Sequence, residues 1–177
     1  MRPDNVALAD ELDQYFFLLD KWNELLQAAG FQRDGNSTIN EYLTGRRTLS
    51  RHGAVAAIIS LFNRFSEECL DPKQAARNTR DSVLKRLLRM YAAYRNMKLT
   101  DLSLLQQAAL DHCRAIDESR NVLRHVIVDE YQDTNYVQEA LFFHLAAGHR
   151  NLCVVGDDDQ ALYRFRGSTV ENLNDAP

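Results

Sequence analysis

The sequence predicts an α/β chain, with a mostly helical N-terminal part over residues 1–97 and a partial parallel sheet over residues 98–177. Two observations predict it. Apolar residues recur at helical spacing through roughly the first 118 positions. Two short apolar runs, Val126-Ile127-Val128 and Leu152-Cys153-Val154-Val155, then flank a single helix-like segment. Such runs suit buried parallel strands, and strand–helix–strand is a βαβ unit with an expected right-handed crossover.

The elements follow in order. Leu12, Tyr15, Phe16, Leu19, Trp22 and Leu26 share one face of a long first helix, and Gly30 stops it. Residues 31–37 read as a loop with Asp-Gly-Asn as its turn signal, and Thr38 to Glu41 has the spacing of a capping box that opens a short helix. The basic connector Gly45 to His52 reads as a solvated loop, with phosphate contact as the sharper alternative. A helix over 53–70 places Val55, Ile58, Ile59, Phe62 and Phe65 inward, and Asp71-Pro72 ends it. A helix over 80–97 buries Val83, Leu84, Leu87, Leu88, Tyr91 and Tyr94, with its aromatics in the core. Thr100-Asp101 caps a helix over 102–118. The last helix, 136–147, places Val137, Leu141 and Leu145 on one face, with Gly148 as its stop.

Composition sets the class. At 177 residues, with 45% apolar and 26% charged residues, the chain fits a soluble globular protein of one domain or two small ones. It has no apolar run of membrane-spanning length and no secretory signal at residues 1–10. Cys69, Cys113 and Cys153 are far apart and lack metal-ligand spacing, which predicts buried free thiols in a reducing, cytoplasmic setting. The net charge of −4 hides an asymmetry: −4 over 1–29, +7 over 30–98 and −7 over 99–177. A basic middle can contact phosphates, and an acidic end can hold a divalent metal.

The acids are placed where chemistry is expected. In open α/β sheets, ligands bind beyond the carboxyl ends of the strands. Asp129-Glu130 follows the first strand and Asp157-Asp158-Asp159 the second. Close-packed carboxylates repel, so they imply a metal, a cationic partner or full solvation. Nucleotide hydrolysis uses this pattern: one acid for Mg²⁺, another to position or deprotonate water. Further on, Tyr163 and Phe165 are two apart and alternate with Arg164 and Arg166. An extended backbone would point both rings one way, toward stacked bases or into a core.

HVIVDEYQDTN at 125–135 and VVGDDDQALYRFRGS at 154–168 together resemble two consecutive motifs of UvrD/Rep-type superfamily 1 DNA helicases, the Walker B motif and the glutamine-containing motif after it. KLTDLSLLQQAAL at 98–110 weakly resembles their upstream segment, and 1–97 their helical insertion. The resemblance implies a partial RecA-like P-loop NTPase core over 98–177, with ATP and Mg²⁺ as cofactors and DNA, single-stranded or duplex, as partner. It implies that Asp129 helps hold Mg²⁺, usually through water, and that Glu130 activates the attacking water. Gln132 and Asp133 would order the nucleotide site, and Gln160 would sense the γ-phosphate. Tyr163 and Phe165 would stack on single-stranded DNA, although some relatives carry tryptophan at the position of Phe165. Arg166 would link the nucleotide and DNA sides.

No G-x-x-x-x-G-K-[ST] loop occurs in the sequence. The resemblance places that loop before the insertion and a second motor domain after the last motif. The expectation is therefore one part of an ATP-dependent helicase with 3′-to-5′ polarity, which does not hydrolyse ATP without the remaining domains. The alternatives are a truncated, non-catalytic DNA- or protein-binding remnant and a subunit of a nuclease-associated motor.

Overall fold

The structure, a computed structural model, describes residues 8–32, 34–97, 99–116 and 123–157. The described elements run β1 (Leu8–Ala9), α1 (Glu11–Ala29), α2 (Gly35–Thr44), α3 (Arg51–Glu67), α4 (Pro72–Asn78), α5 (Ser82–Arg95), β2 (Thr100–Asp101), α6 (Leu102–Ala115), β3 (Val126–Val128), a 3₁₀ turn (Tyr131–Asp133), α7 (Tyr136–Ala146) and β4 (Leu152–Val154). The chain is thus mostly helical with two small parallel sheets, β1–β2 and β3–β4. It divides into two compact units, Met1–Phe65 with Leu70–Leu104, and Ser66–Cys69 with Leu105–Pro177.

The first unit is built around a helical core. Its α1 starts at a reciprocal Asp10–Asp13 capping box and ends at Gly30, which adopts φ 77° and sends its N–H back to the last turn. That left-handed conformation is nearly free for glycine and strained for other residues. The buried stripe of α1 is Gln14, Leu18, Trp22, Leu25 and Ala29. Leu12 and Phe16, expected inward, are 66% and 63% exposed. Both stripes satisfy helical spacing; the inward one packs Leu18, Trp22 and Leu25 into the core and accommodates polar Gln14 because that side chain has partners. Its amide donates to Asn63 Oδ1 at 2.9 Å and to Tyr94 Oη and Asp101 Oδ2, each at 3.1 Å. The Tyr94 hydroxyl also donates to Asp101. Burial, with the Asp101 carboxylate beside it, pushes the Tyr94 phenol far above its ordinary range.

Around α1 pack Ile39, then Val55, Ile58 and Phe62 of α3, then Leu87, Leu88, Met90, Tyr91 and Tyr94 of α5. Phe62 meets Tyr91 and Tyr94 at ring-centroid distances of 5.3 and 5.1 Å. The aromatics of α5 are core residues, as their spacing predicted. Removing such a ring typically costs about 3–5 kcal/mol.

Three local expectations are corrected. First, α2 begins at Gly35 rather than at a Thr38 cap. Thr38 N–H instead bonds the Asp34 carbonyl within the helical ladder, and Glu41 pairs with Arg47 at 3.8 Å. Second, Pro72 opens a helix as well as following one. Asp71 caps α4 by accepting from Lys73 and Gln74 N–H, and a proline in the first turn has no N–H to lose. Third, Thr100-Asp101 forms β2 beside Leu8-Ala9. Its capping role also holds, since Leu104 N–H donates to Asp101 Oδ1 at 2.8 Å.

In the second unit, β3 and β4 pair in parallel with Val126 opposite Leu152, Ile127 opposite Cys153 and Val128 opposite Val154. Parallel neighbours need a crossover, and α7 is its helix. Asn135 and Gln138 form the capping box that starts α7. Val126 N–H donates to Asn151 O at 2.9 Å, and Val155 N–H to Val128 O at 2.8 Å, extending the pairing at both ends. The expectation of strands buried on both faces fails. Val128 is buried, whereas Ile127 is 74% exposed and Cys153 and Val155 are also exposed. Side chains alternate along a strand, and among the described residues only one face of this two-stranded sheet is covered. The expectation of buried thiols is corrected too: Cys153 is exposed on that open face, and Cys69 and Cys113, outside the sheet, are half-buried.

No helix among the described residues is long and apolar enough to cross a membrane.

Candidate functional site at the strand exits

Two parallel strands bring two chain segments to one end of the sheet. Because Val128 lies opposite Val154, the residues after each strand leave the same edge. Asp129 and Glu130 leave β3, Asp157 follows the end of β4, and all three are exposed.

Backbone bonds hold the two exits together. Tyr131 N–H donates to Val155 O at 2.9 Å, immediately beyond the last strand bond. Asp133 N–H closes the 3₁₀ turn on Glu130 O at 2.9 Å, and Thr134 N–H bonds Tyr131 O at 3.1 Å. Glu130 itself adopts φ 52° and ψ 42°. A left-handed glutamate is uncommon, and such conformations persist only where surrounding contacts enforce them.

Two buried side chains supply further contacts. Tyr131 is fully buried and donates its hydroxyl to Glu139 Oε1 at 2.6 Å, anchoring the turn to α7. Gln132 is 1% exposed. Its Nε2 donates to Glu130 Oε2 at 2.6 Å, and its Oε1 accepts from Asp157 N–H at 3.0 Å. Only this orientation of the amide satisfies both partners, because a flip would set oxygen against oxygen and N–H against N–H. Asp129 Oδ1 accepts Glu130 N–H at 3.0 Å.

The structure therefore brings Asp129, Glu130, Gln132 and Asp157 to one place. Asp133 lies on the same turn with its side chain exposed, and its carboxylate makes no hydrogen bond among the described residues. Gln160, Tyr163, Phe165 and Arg166 lie outside the described residues. Tyr131 and Glu139 were missed from the sequence. An aromatic residue between acids, eight positions before a helical glutamate, was the available signal. Of the connector Gly45 to His52, residues Gly45 to Ser50 are exposed throughout, whereas Arg51 and His52 belong to the first turn of α3.

No group of three or more His, Cys, Asp or Glu converges among the described residues in a way that could hold a metal. A closed protein cage of the kind used for calcium is therefore not formed there. Magnesium makes a smaller demand: it keeps several waters and takes one or two carboxylates, with the rest from substrate phosphate. The exposed Asp129 carboxylate at a strand exit, beside a constrained Glu130, fits that donor set.

Adjacent parallel strands with paired acids at their carboxyl ends have the layout of an α/β ligand site. Residues 3–177 match the UvrD/REP helicase N-terminal domain, and the chain belongs to that family. It is similar to the ATP-dependent DNA helicase PcrA of Staphylococcus aureus, at 26% identity over 152 residues, covering 79% of this chain and 20% of that protein. The PcrA of Staphylococcus epidermidis is 28% identical over 148 residues, with the same coverage. The chain thus spans about a fifth of the length of the curated relatives it matches.

Proposed function

We propose that this chain is part of an ATP-dependent DNA helicase motor that couples Mg-ATP hydrolysis to movement on single-stranded DNA. In this reading 1–97 is a helical insertion and 98–177 is part of a RecA-like core. The observation that supports it most is the joining of the Asp129-Glu130 exit to the Asp157 exit across one parallel strand pair. The similarity to ATP-dependent DNA helicases supports the same reading.

The roles follow from what each group can do. Asp129 would hold Mg²⁺, directly or through water. Bound Mg²⁺ would screen the phosphate charge. Glu130 Oε2 is engaged by Gln132, which leaves Oε1 to orient a water and accept its proton. Gln132 and Asp133 belong to the nucleotide side, Gln132 through its bonds and Asp133 through its charge. Gln160 would respond to the terminal phosphate, and Tyr163, Phe165 and Arg166 would meet DNA. Polarity is 3′-to-5′, and the setting is cytoplasmic. ATP turnover requires the phosphate loop and second motor domain of the parent protein, so the chain alone does not turn over ATP.

Single-stranded DNA binding, measured against salt, tests the DNA side. Affinity should fall steeply with salt, because counterions are released from phosphates. Tyr163→Ala/Phe165→Ala should weaken binding about tenfold or more, since base stacking contributes roughly 1–3 kcal/mol per base. Equal affinity of the variant and the parent sequence would remove the stacking assignment. Steady-state ATP turnover by the chain alone, abolished by Glu130→Gln, would refute the requirement for further domains.

A further inference from the structure

We infer that Gln132 is a positioning residue that mechanically links the Glu130 carboxylate to the start of the loop after β4, through its two-ended side-chain amide. The inference rests on reading Glu130 as the group that handles water, and it adds a route by which a change at Glu130 reaches the other strand exit.

The geometry carries it. One planar amide spans the two exits, donating to Glu130 Oε2 at 2.6 Å and accepting from Asp157 N–H at 3.0 Å. The amide is buried, so water does not readily replace either partner, and loss of one bond leaves an expensive orphan. The two bonds are therefore coupled: a shift of the carboxylate turns the amide plane and moves its oxygen under Asp157 N–H. Glu130 sits in a left-handed conformation that contacts must maintain, so its carboxylate is sensitive to the loss of one. A second path between the exits exists in the backbone, Tyr131 N–H to Val155 O at 2.9 Å. That path does not involve the Gln132 side chain, so the two can be told apart.

Amide hydrogen exchange at Asp157, followed by NMR on the full 177-residue chain, tests the link. Gln132→Met keeps the side-chain length and removes both bonds. It should speed Asp157 exchange about tenfold, the worth of one hydrogen bond of roughly 1.4 kcal/mol. Glu130→Ala should also speed Asp157 exchange in the parent sequence, by about threefold. In the Gln132→Met background Glu130→Ala should add nothing. An equal effect of Glu130→Ala in both backgrounds would assign the coupling to the Tyr131 backbone and overturn the proposal. So would no effect in either.

Protection of Val155 N–H, which bonds Val128 O, reports whether the strands still pair in each variant. If Gln132→Met loses that protection, Gln132→Leu replaces it; it is shorter and likewise removes both bonds. Asp157 exchange should again be fast, and Glu130→Ala should add nothing to it; acceleration as large as in the parent sequence would overturn the link. A Mg²⁺ titration followed at the Asp129 and Glu130 amides separates this result from the functional reading. Coupling at Asp157 with no Mg²⁺ response would remove the metal assignment and leave the link standing.

Discussion

The hydroxyl of Tyr131 donates to Glu139 Oε1 at 2.6 Å, so the turn that carries Glu130 is anchored to the helix that connects the two strands. Tyr131 is fully buried, whereas Glu130 before it and Asp133 two residues after it are exposed. The turn thus has an apolar root and a charged rim.

This anchor predicts a stability effect that separates ring from hydroxyl. Tyr131→Phe keeps the packing and removes one charge-assisted bond, which should cost about 2 kcal/mol in urea unfolding. Glu139→Gln retains an acceptor for the hydroxyl and should cost less. Equal stability of Tyr131→Phe and the parent sequence would show that the hydroxyl bond does not anchor the turn.

The helical unit should lose stability in acid through two capping carboxylates. Backbone N–H groups hold both below the usual carboxylate range: Gln74 and then Lys73 for Asp71, and Leu84 for Asp81, with the Tyr42 hydroxyl next. A depressed folded value means that the ionised form is favoured by folding. The contribution is complete above the unfolded value of about 4 and is lost as pH falls through the folded values. Asp71→Asn/Asp81→Asn should therefore show a shallower fall in urea midpoint below about pH 4. An unchanged acid slope would mean that other groups set it.

Cys153 should be the fast thiol. It lies on the open face of the β3–β4 sheet, while Cys69 and Cys113 are half-buried. Under native conditions a thiol reagent should modify Cys153 first, leaving the other two until unfolding, because access limits the reaction. Cys153→Ser should remove the fast phase, and persistence of that phase would place the accessible thiol elsewhere.

Much of the site was legible because it is local. Asp129 and Glu130 follow an apolar run, Asp157 follows another, and strand exits are where α/β folds place ligands. Gln132 was legible as part of a motif, but its two partners were not. Its acceptor is two residues away, and its donor is separated from it by a whole helix. The inward turn of Tyr131 was not legible, because the local sequence does not fix which way a residue on a 3₁₀ turn points.

By itself the sequence determined the helix-rich first part, the strand–helix–strand order, the glycine stop at Gly30 and the family. Each depends on periodicity, propensity or motif spacing, which are properties of neighbours along the chain. Tertiary structure decided which stripe of α1 is buried, because Leu12 and Phe16 fit the period as well as Leu18 and Leu25 do, and partners distant in sequence break the tie, those of Gln14 among them. It also decided that Leu8-Ala9 pairs with Thr100-Asp101, and that Ile127 and Cys153 face outward. Burial depends on what packs against a face, and that is set by residues far away in sequence.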